Sequence, residues 1–281
     1  MRISIPRSRA TSLERLAELA AKRDKQVLIA THSTELLRAS EPETILEFRA
    51  RGGPSVRYLS RDHQKTAVLA GLGADYAPRL DKLRRTKRLL FLEGSTDATI
   101  LRILAGKIGE PISSNWVEWT TSIGHKERKL LHRALSEEIP DLVTVSLRDR
   151  DDEPSGTVGT DLRDRSIEET AGFFCRKWRR RHIETYLLSP AAIAAASGMT
   201  VDEVEARLVE EFAVAITQEN FVPSDAPDAI LDLRGKAILK DGDAAILGQV
   251  DASAADVARN IDPDWVPDDI RTFLRELSTL A

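Results

Sequence analysis

The stretch that decides the fold is residues 88–97, RLLFLEGSTD. The consecutive apolar residues 89–92 have the length of a buried strand, and Glu93-Gly94 follows them as a turn. Residues 96–108 then place apolar side chains at helical spacing. A strand that leads through a tight turn into an amphipathic helix is the repeating unit of a parallel α/β sheet.

The same order of strand and helix continues along the chain. Residues 116–119 and 142–147 are predicted strands, and residues 126–135 are a predicted helix between them. Beyond Ser189 the sequence is predicted to become helical. We therefore predict an α/β fold with a mostly parallel sheet flanked by helices, and with an added helical element.

Composition narrows the class of protein. The 281 residues carry 41 Lys plus Arg and 45 Asp plus Glu, a formal net charge of −4. The sequence has no apolar run near the roughly 20 residues that a membrane helix requires, and its first residues do not resemble a signal peptide. The single cysteine, Cys175, excludes an intramolecular disulfide and a thiolate zinc cage. We therefore expect a globular, cytoplasmic protein.

Acidic residues follow the ends of two predicted strands. Glu93 follows the first strand, and Asp149 and Asp151 follow the strand at 142–147. Residues i and i+2 of an extended segment project to the same side, and ligands of α/β sheets gather at the carboxyl ends of the strands. Converging carboxylates repel one another unless a hard cation lies between them, which favours Mg²⁺ or Mn²⁺. Taken singly, Asp149 and Asp151 are equally typical of an acidic surface turn.

Asp97 and Glu184 are further candidates, each with an ordinary structural alternative. Asp97 lies in the first turn of a predicted helix, where an acid also complements the helix dipole. Glu184 follows the basic run 176–181, RKWRRR, and is either a salt-bridged glutamate or another metal ligand. Arginines of that run could hold phosphates, although a basic cluster alone is more often a solvated face. The candidate nucleic-acid-binding residues are Arg179, Arg180 and Arg181.

Taken in order, these motifs resemble those of a known family. Residues 92–97, LEGSTD, followed by DRD at 149–151, are similar to the Toprim signature, which topoisomerases, bacterial primases and several nucleases share. Residues 180–188, RRHIETYLL, and 234–239, RGKAIL, resemble the C-terminal half of the OLD (overcoming lysogenisation defect) nucleases. The resemblance extends over most of the chain, from about residue 13 to residue 239.

The resemblance implies an endonuclease that cleaves or nicks DNA by a two-metal mechanism. Two Mg²⁺ or Mn²⁺ ions ~4 Å apart would serve it, one activating water and the other stabilising the leaving oxygen. Glu93 and Lys236 are the implied catalytic residues, with Lys236 offsetting charge in the transition state, and Ser146 is a weaker candidate for positioning an ion. The implied metal ligands are Glu93, Asp97, Asp149, Asp151 and Glu184.

The N-terminal region resembles the tail of the ABC-type ATPase domain that precedes Toprim in OLD nucleases. Residues 26–33, QVLIATHS, contain a predicted strand at 26–30 and are similar to the switch-histidine loop, with His32 as a nucleotide-sensing remnant. Residues 44–49 and 55–60 flank RGGP as a predicted hairpin.

A P-loop is missing from the sequence. Gly235-Lys236 approaches G-x-x-x-x-G-K-[ST], but Ile230 and Ala237 stand at two of its defining positions. We therefore expect the ATPase in this chain to be incomplete. The expected partners are DNA and either the missing ATPase portion or a second copy of the chain. The implied organisation is an ATPase remnant at 1–62, a helical linker at 63–87, a Toprim domain at 88–188, and a helical element at 189–281 that returns to the catalytic site.

A second class of function stays open, a non-catalytic Toprim module that binds DNA or acts as a scaffold for an ATPase. Such a module would retain the fold and lose some carboxylates, whereas all five positions are acidic in this sequence. A topoisomerase would need a nucleophilic tyrosine on a separate domain, and Tyr58, Tyr76 and Tyr186 have no such context. A primase would need a zinc-binding or helicase-interacting segment, for which the sequence has no pattern.

Overall fold

The computed structural model describes residues 20, 22, 25–29, 46–47, 56–57 and 76–281. The chain divides into two compact units, Met1–Arg85 with Lys129–Pro140, and Thr86–Arg128 with Asp141–Ala281. His32 lies outside the described residues, so its predicted role stays a prediction.

The first unit contains a short antiparallel pair and a helix. Strands β1 (Leu46–Glu47) and β2 (Val56–Arg57) pair antiparallel, which confirms that the two segments of the predicted hairpin associate. Helix α1 spans Tyr76–Thr86. Residues 25–29 have neither helix nor strand, so the strand predicted at 26–30 is wrong for residues 26–29.

The second unit is built on a four-stranded sheet in which every pairing is parallel, with the order β4-β3-β5-β6. The two interior strands, β3 and β5, are almost wholly buried, as parallel strands covered on both faces are. Helices flank this sheet, so the predicted α/β fold class is confirmed. The strands are β3 (Arg88–Leu92), β4 (Val117–Thr120), β5 (Val143–Arg148) and β6 (Phe173–Lys177).

The fourth strand was missed by the sequence analysis. Strand β6 ends in Arg176 and Lys177, which belong to the run that we interpreted as a basic surface cluster. Both side chains are buried, and each forms ion pairs: Arg176 with Glu169 and Glu276, and Lys177 with Glu153. Paired cations are tolerated in a strand interior, but no local pattern announces the distant partners.

Nine α-helices are present in the described residues. Helix α5 (Val201–Phe212) begins with a capping box in which the Thr200 hydroxyl accepts the Glu203 N–H and the Glu203 carboxylate accepts the Thr200 N–H. In the described residues, no helix combines the length with the apolar character that spanning a bilayer requires. The other helices are α2 (Ser95–Lys107), α3 (His125–Glu138), α4 (Pro190–Ser197), α6 (Gln218–Phe221), α7 (Asp228–Leu231), α8 (Ala254–Asn260) and α9 (Asp268–Leu280).

One hydrophobic core joins the sheet to the C-terminal helices. Leu90 of β3 and Ile100 of α2 belong to the same buried cluster as Ile193 of α4 and Phe273 of α9. The described part of the second unit also has four short segments, the 3-10 turns Ser155–Thr157, Ile183–Leu187 and Pro263–Trp265, and a π-helical turn at Ala237–Asp241. A π-helical turn often accompanies a functional site, and this one begins directly after Lys236.

Candidate functional site

The carboxyl ends of β3 and β5 bring the first two acidic residues together. The strands are parallel neighbours in which Phe91 pairs with Ser146, so both chains leave the sheet at the same edge. Glu93 follows β3 and Asp149 follows β5, and the Asp149 N–H donates to Glu93 Oε1 at 3.1 Å. Glu93 and Asp149 are therefore neighbours at this edge of the sheet.

Asp97 combines the two interpretations that the sequence left open. Its Oδ2 accepts the Gly94 N–H at 2.8 Å, so it caps the first turn of α2. Its charge also raises the pKa of Glu93, Asp149 and Glu184, which places it among the acidic residues of the site. Burial raises the pKa of Asp97 itself, opposed by the Gly94 hydrogen bond and the charge of Lys236.

Asp149 is the most strongly perturbed of these groups. Asp149 is only 3% exposed to solvent. Burial, followed by the charge of Glu93, raises its pKa to about 8, while Lys236 acts in the opposite direction. The pKa values of Glu93 and Glu184 are also raised, with burial as the largest cause in each case. The edge of the sheet therefore holds more negative charge than its own environment stabilises.

Lys236 is the cation that faces these carboxylates. Its Nζ lies 3.2 Å from Asp149 Oδ2. Burial by itself would lower the pKa of Lys236, but the Asp149 and Glu184 carboxylates outweigh that effect and raise it. The ammonium is therefore charged at neutral pH and remains partly open to solvent.

Gly235 explains how Lys236 reaches the site. A Cβ at this position would lie 2.3 Å from the Thr185 amide nitrogen and 2.6 Å from the Glu184 carbonyl carbon. The Gly235 N–H donates to Thr185 Oγ1 at 3.2 Å. Two backbones in such close contact deliver Glu184 and Lys236 to the site as one unit. The segments 180–188 and 234–239 thus meet in space.

Asp151 lies at the rim of the site. It has a left-handed backbone with a φ of 55°, and its N–H donates to the Arg181 carbonyl at 3.0 Å. Its carboxylate is mostly exposed and lies 3.7 Å from His182 Nε2. The charge of Asp151 nevertheless raises the pKa of Glu93, so all five predicted ligands belong to one electrostatic group.

Arg150, the middle residue of the Asp-Arg-Asp motif, is a positioning residue that the sequence analysis missed. Its buried guanidinium donates to the carbonyl of Arg179 at 2.7 Å and to that of Leu231 at 2.8 Å. It also pairs with Asp232. Arg150 therefore joins the turn after β5 to the two segments that carry Glu184 and Lys236. Its partners are up to 82 residues away, and no sequence signal marks them.

Arg128, in the first turn of helix α3, supports the site from the buried interior. It donates to the carbonyls of Thr121 at 2.8 Å and Leu147 at 2.7 Å, and to Ser146 Oγ at 3.3 Å. Burial lowers the pKa of Arg128 to about 10, so it stays protonated at neutral pH. Its charge lowers the pKa of Glu93 and of Asp97.

Ser146 belongs to this internal network. It is fully buried, and its Oγ lies 2.6 Å from His125 Nδ1 while also accepting from Arg128. Both contacts point into the second unit behind the acidic group. These contacts give Ser146 a structural role in holding β5, and its weaker candidacy as an ion-positioning residue gains no support from them.

The arginine cluster is divided among different environments. Arg180 is only 1% exposed, lies between the rings of Tyr186 and Phe221, and donates to the Thr185 carbonyl at 3.2 Å. Arg179 approaches the buried carboxylate of Asp269 to 3.9 Å. This corrects the prediction that Arg180 binds nucleic acid together with Arg179 and Arg181, because Arg180 stabilises the core and does not face solvent. Arg181 remains at the edge of the acidic site.

As placed, the side chains do not converge to ligating distance. Among the described residues, no three His, Cys, Asp or Glu side chains form a group that could hold a metal ion. Glu93 and Asp97 accept backbone N–H groups, and Asp149 faces Lys236. The donor chemistry nevertheless fits a hard cation, because every candidate ligand is a carboxylate. In the described part of the chain, Glu184 Oε2 is buried and has no hydrogen-bond partner, an atom that a cation would satisfy.

Comparison of the chain with protein-family models, with curated proteins and with solved structures gave no match.

Proposed function

We propose that this chain is an Mg²⁺- or Mn²⁺-dependent phosphodiesterase that cleaves or nicks DNA, similar to an OLD-family endonuclease. One observation supports this more than any other. Glu93 and Asp149 follow two adjacent strands at one edge of a parallel sheet, where the Asp149 backbone N–H donates to the Glu93 carboxylate, and Glu184 and Lys236 reach the same place from distant parts of the chain.

The charge balance of the site explains why cations would be required. Glu93, Asp97, Asp149 and Glu184 face a single partly exposed ammonium, that of Lys236, with Arg128 buried behind them. A phosphodiester is itself anionic and would be repelled by this group of carboxylates. The site can therefore accept a phosphate only when added positive charge compensates the carboxylates. Chelation of divalent cations is accordingly expected to abolish cutting completely.

The roles of the residues follow from their positions. Glu93, Asp97, Asp149 and Glu184 would hold the cations, and Asp151 would contribute from the rim. When bound, divalent cations supply Lewis-acid stabilisation to the phosphoryl oxygens. The Lys236 ammonium would donate to a non-bridging oxygen, where charge builds in the transition state.

The test is digestion of supercoiled plasmid with Mg²⁺, with Mn²⁺ and with EDTA. We expect nicked or linear product with either cation and none with the chelator. Asp149→Asn removes a candidate metal-ligating carboxylate from the site, so it is expected to abolish cutting while the protein stays folded. Asp161→Asn is the matched control, because Asp161 is an exposed aspartate that pairs with Arg165. Equal activity of wild type and Asp149→Asn would refute the assignment.

A non-catalytic DNA-binding module is the second candidate, and one observation favours it. The acidic side chains are tied to internal partners and, in the described residues, form no ligating group as placed. Such a module would retain DNA in a mobility-shift experiment and leave the plasmid intact under all three conditions. The same digestion therefore separates the two candidates.

A further inference from the structure

Beside the acidic site, two guanidinium groups share one exposed carboxylate. Asp152 Oδ1 pairs with Nη1 of Arg181 and lies 3.2 Å from Nη2 of Arg234. The Asp152 side chain is 81% exposed and that of Arg234 is 66% exposed. Asp152 and Arg234 therefore lie at the surface, where a large ligand can reach them, whereas the Arg181 side chain is only 17% exposed and presents its Nη1 to them from the protein.

The two arginines are anchored differently. Arg181 Nε donates to the Asp232 carbonyl at 2.7 Å, which holds its side chain against the protein. Among the described residues, the Arg234 guanidinium is hydrogen-bonded to Asp152 alone. One half of the pair is thus fixed, and the other can exchange its partner without breaking any further contact.

The pair is tied to the site by its backbone. The Arg181 carbonyl accepts the N–H groups of Arg150 at 3.1 Å and Asp151 at 3.0 Å. Arg234 lies two positions before Lys236 in the same segment. Any group held by the two guanidiniums is therefore held at a set place relative to Asp149, which contacts Lys236.

A carboxylate between two guanidiniums has the charge and acceptor geometry of a phosphate. Arginine forks bind phosphate oxygens with paired, charge-assisted hydrogen bonds. Exposed ion pairs contribute little to stability, because water screens the charges and the side chains lose entropy. Replacing Asp152 by a phosphate would therefore cost the folded protein little.

We propose that Arg181 and Arg234 form a clamp for a backbone phosphate of the nucleic-acid substrate, and that Asp152 occupies this clamp until the substrate displaces it. The proposal rests on the proposed function, because it takes DNA as the ligand of the neighbouring site. Asp152 is then an intramolecular competitor that lowers the affinity of the protein for DNA.

The test is the binding of a short fluorescein-labelled DNA duplex, measured by anisotropy in EDTA at several salt concentrations. Arg234→Ala should reduce the slope of log K against log[salt] by about 0.9, which weakens binding about eightfold at 0.1 M salt. Asp152→Asn should tighten binding several-fold. In the Arg234→Ala background that gain should disappear, because the clamp that Asp152 competes for is gone.

Asp161→Asn and Arg165→Ala are the matched controls. They change the same charges in an exposed ion pair of 2.7 Å elsewhere on the second unit, and neither belongs to the acidic site. The clamp is refuted if Asp152→Asn binds DNA no more tightly than Asp161→Asn. It is also refuted if Asp152→Asn still increases the DNA affinity when Arg234 is replaced by alanine.

The binding measurement does not depend on cutting. If the effects of the Asp152 and Arg234 substitutions on DNA affinity are coupled but plasmid is not cleaved, the clamp is supported and the nuclease function is refuted. Cleavage without that coupling would support the nuclease and remove the clamp.

Discussion

Gly235→Ala is expected to disable the site through backbone displacement alone. The added Cβ would lie 2.3 Å from the Thr185 nitrogen, whereas carbon contacts are normally about 3.5 Å or longer. The two backbones must therefore separate by about 1 Å. The φ of Gly235 is not positive, so alanine adds no conformational strain and the effect is purely steric. Because the Lys236 ammonium lies only 3.2 Å from Asp149, a shift of that size breaks the ion pair.

The expected cost is that of overpacking a buried contact, about 1–3 kcal/mol. Thermal denaturation followed by circular dichroism should show a melting temperature lower by several degrees, and plasmid cleavage should be lost. Gly106→Ala is the control, since Gly106 lies within α2 with no atom within 4 Å of the added Cβ, and alanine there should stabilise the helix by about 1 kcal/mol. If Gly235→Ala melted at the wild-type temperature and cut DNA at the wild-type rate, the close contact would have no functional role.

Three further predictions concern single side chains. In single-turnover kinetics, Lys236→Ala is expected to slow cleavage about a hundredfold, and Lys236→Arg should recover part of the rate. A wild-type rate for Lys236→Ala would mean that the ammonium does not stabilise the transition state. Arg180→Ala should destabilise the fold by about 2–4 kcal/mol in urea denaturation, because it leaves buried carbonyls without a donor. The folded variant should keep the wild-type salt dependence of DNA binding. A smaller salt dependence would mean that Arg180 contacts DNA. Burial, followed by the charge of Arg128, lowers the pKa of His125 to about 4. As the pH drops from about 6.5 towards 4, the histidine is therefore protonated in the unfolded chain before it is protonated in the fold. The free energy of unfolding should fall over this range by up to about 3 kcal/mol. His125→Gln should flatten that part of the stability profile, and an unchanged profile would mean that His125 is protonated in the fold.

Buried arginines, rather than exposed ones, organise the acidic site. Arg128, Arg150 and Arg180 each donate to backbone carbonyls from separate segments of the second unit. A planar guanidinium with several donors can join such segments, which a lysine ammonium with the same charge does less well. Basic residues close to acidic motifs therefore do not by themselves indicate a nucleic-acid surface.

The α/β fold could be predicted from local patterns because those patterns depend on short-range periodicity. The apolar run 89–92, the turn at Glu93-Gly94 and the run 142–147 correspond to β3, its exit turn and β5 in the parallel sheet. Since the carboxyl ends of neighbouring parallel strands share an edge, the meeting of Glu93 with Asp149 could also be anticipated.

Only the tertiary structure decided what each charged residue does, because charge is stabilised or destabilised by partners that are distant in sequence. Arg176 and Lys177 look like surface residues in the sequence, but their ion pairs allow both to be buried in strand β6. Arg180 and Arg181 are adjacent in the chain, yet the first is buried between two rings and the second shares Asp152 with Arg234. Identical side chains at neighbouring positions look alike in a sequence, and burial separates them because the free energy of a charge depends on the groups that surround it.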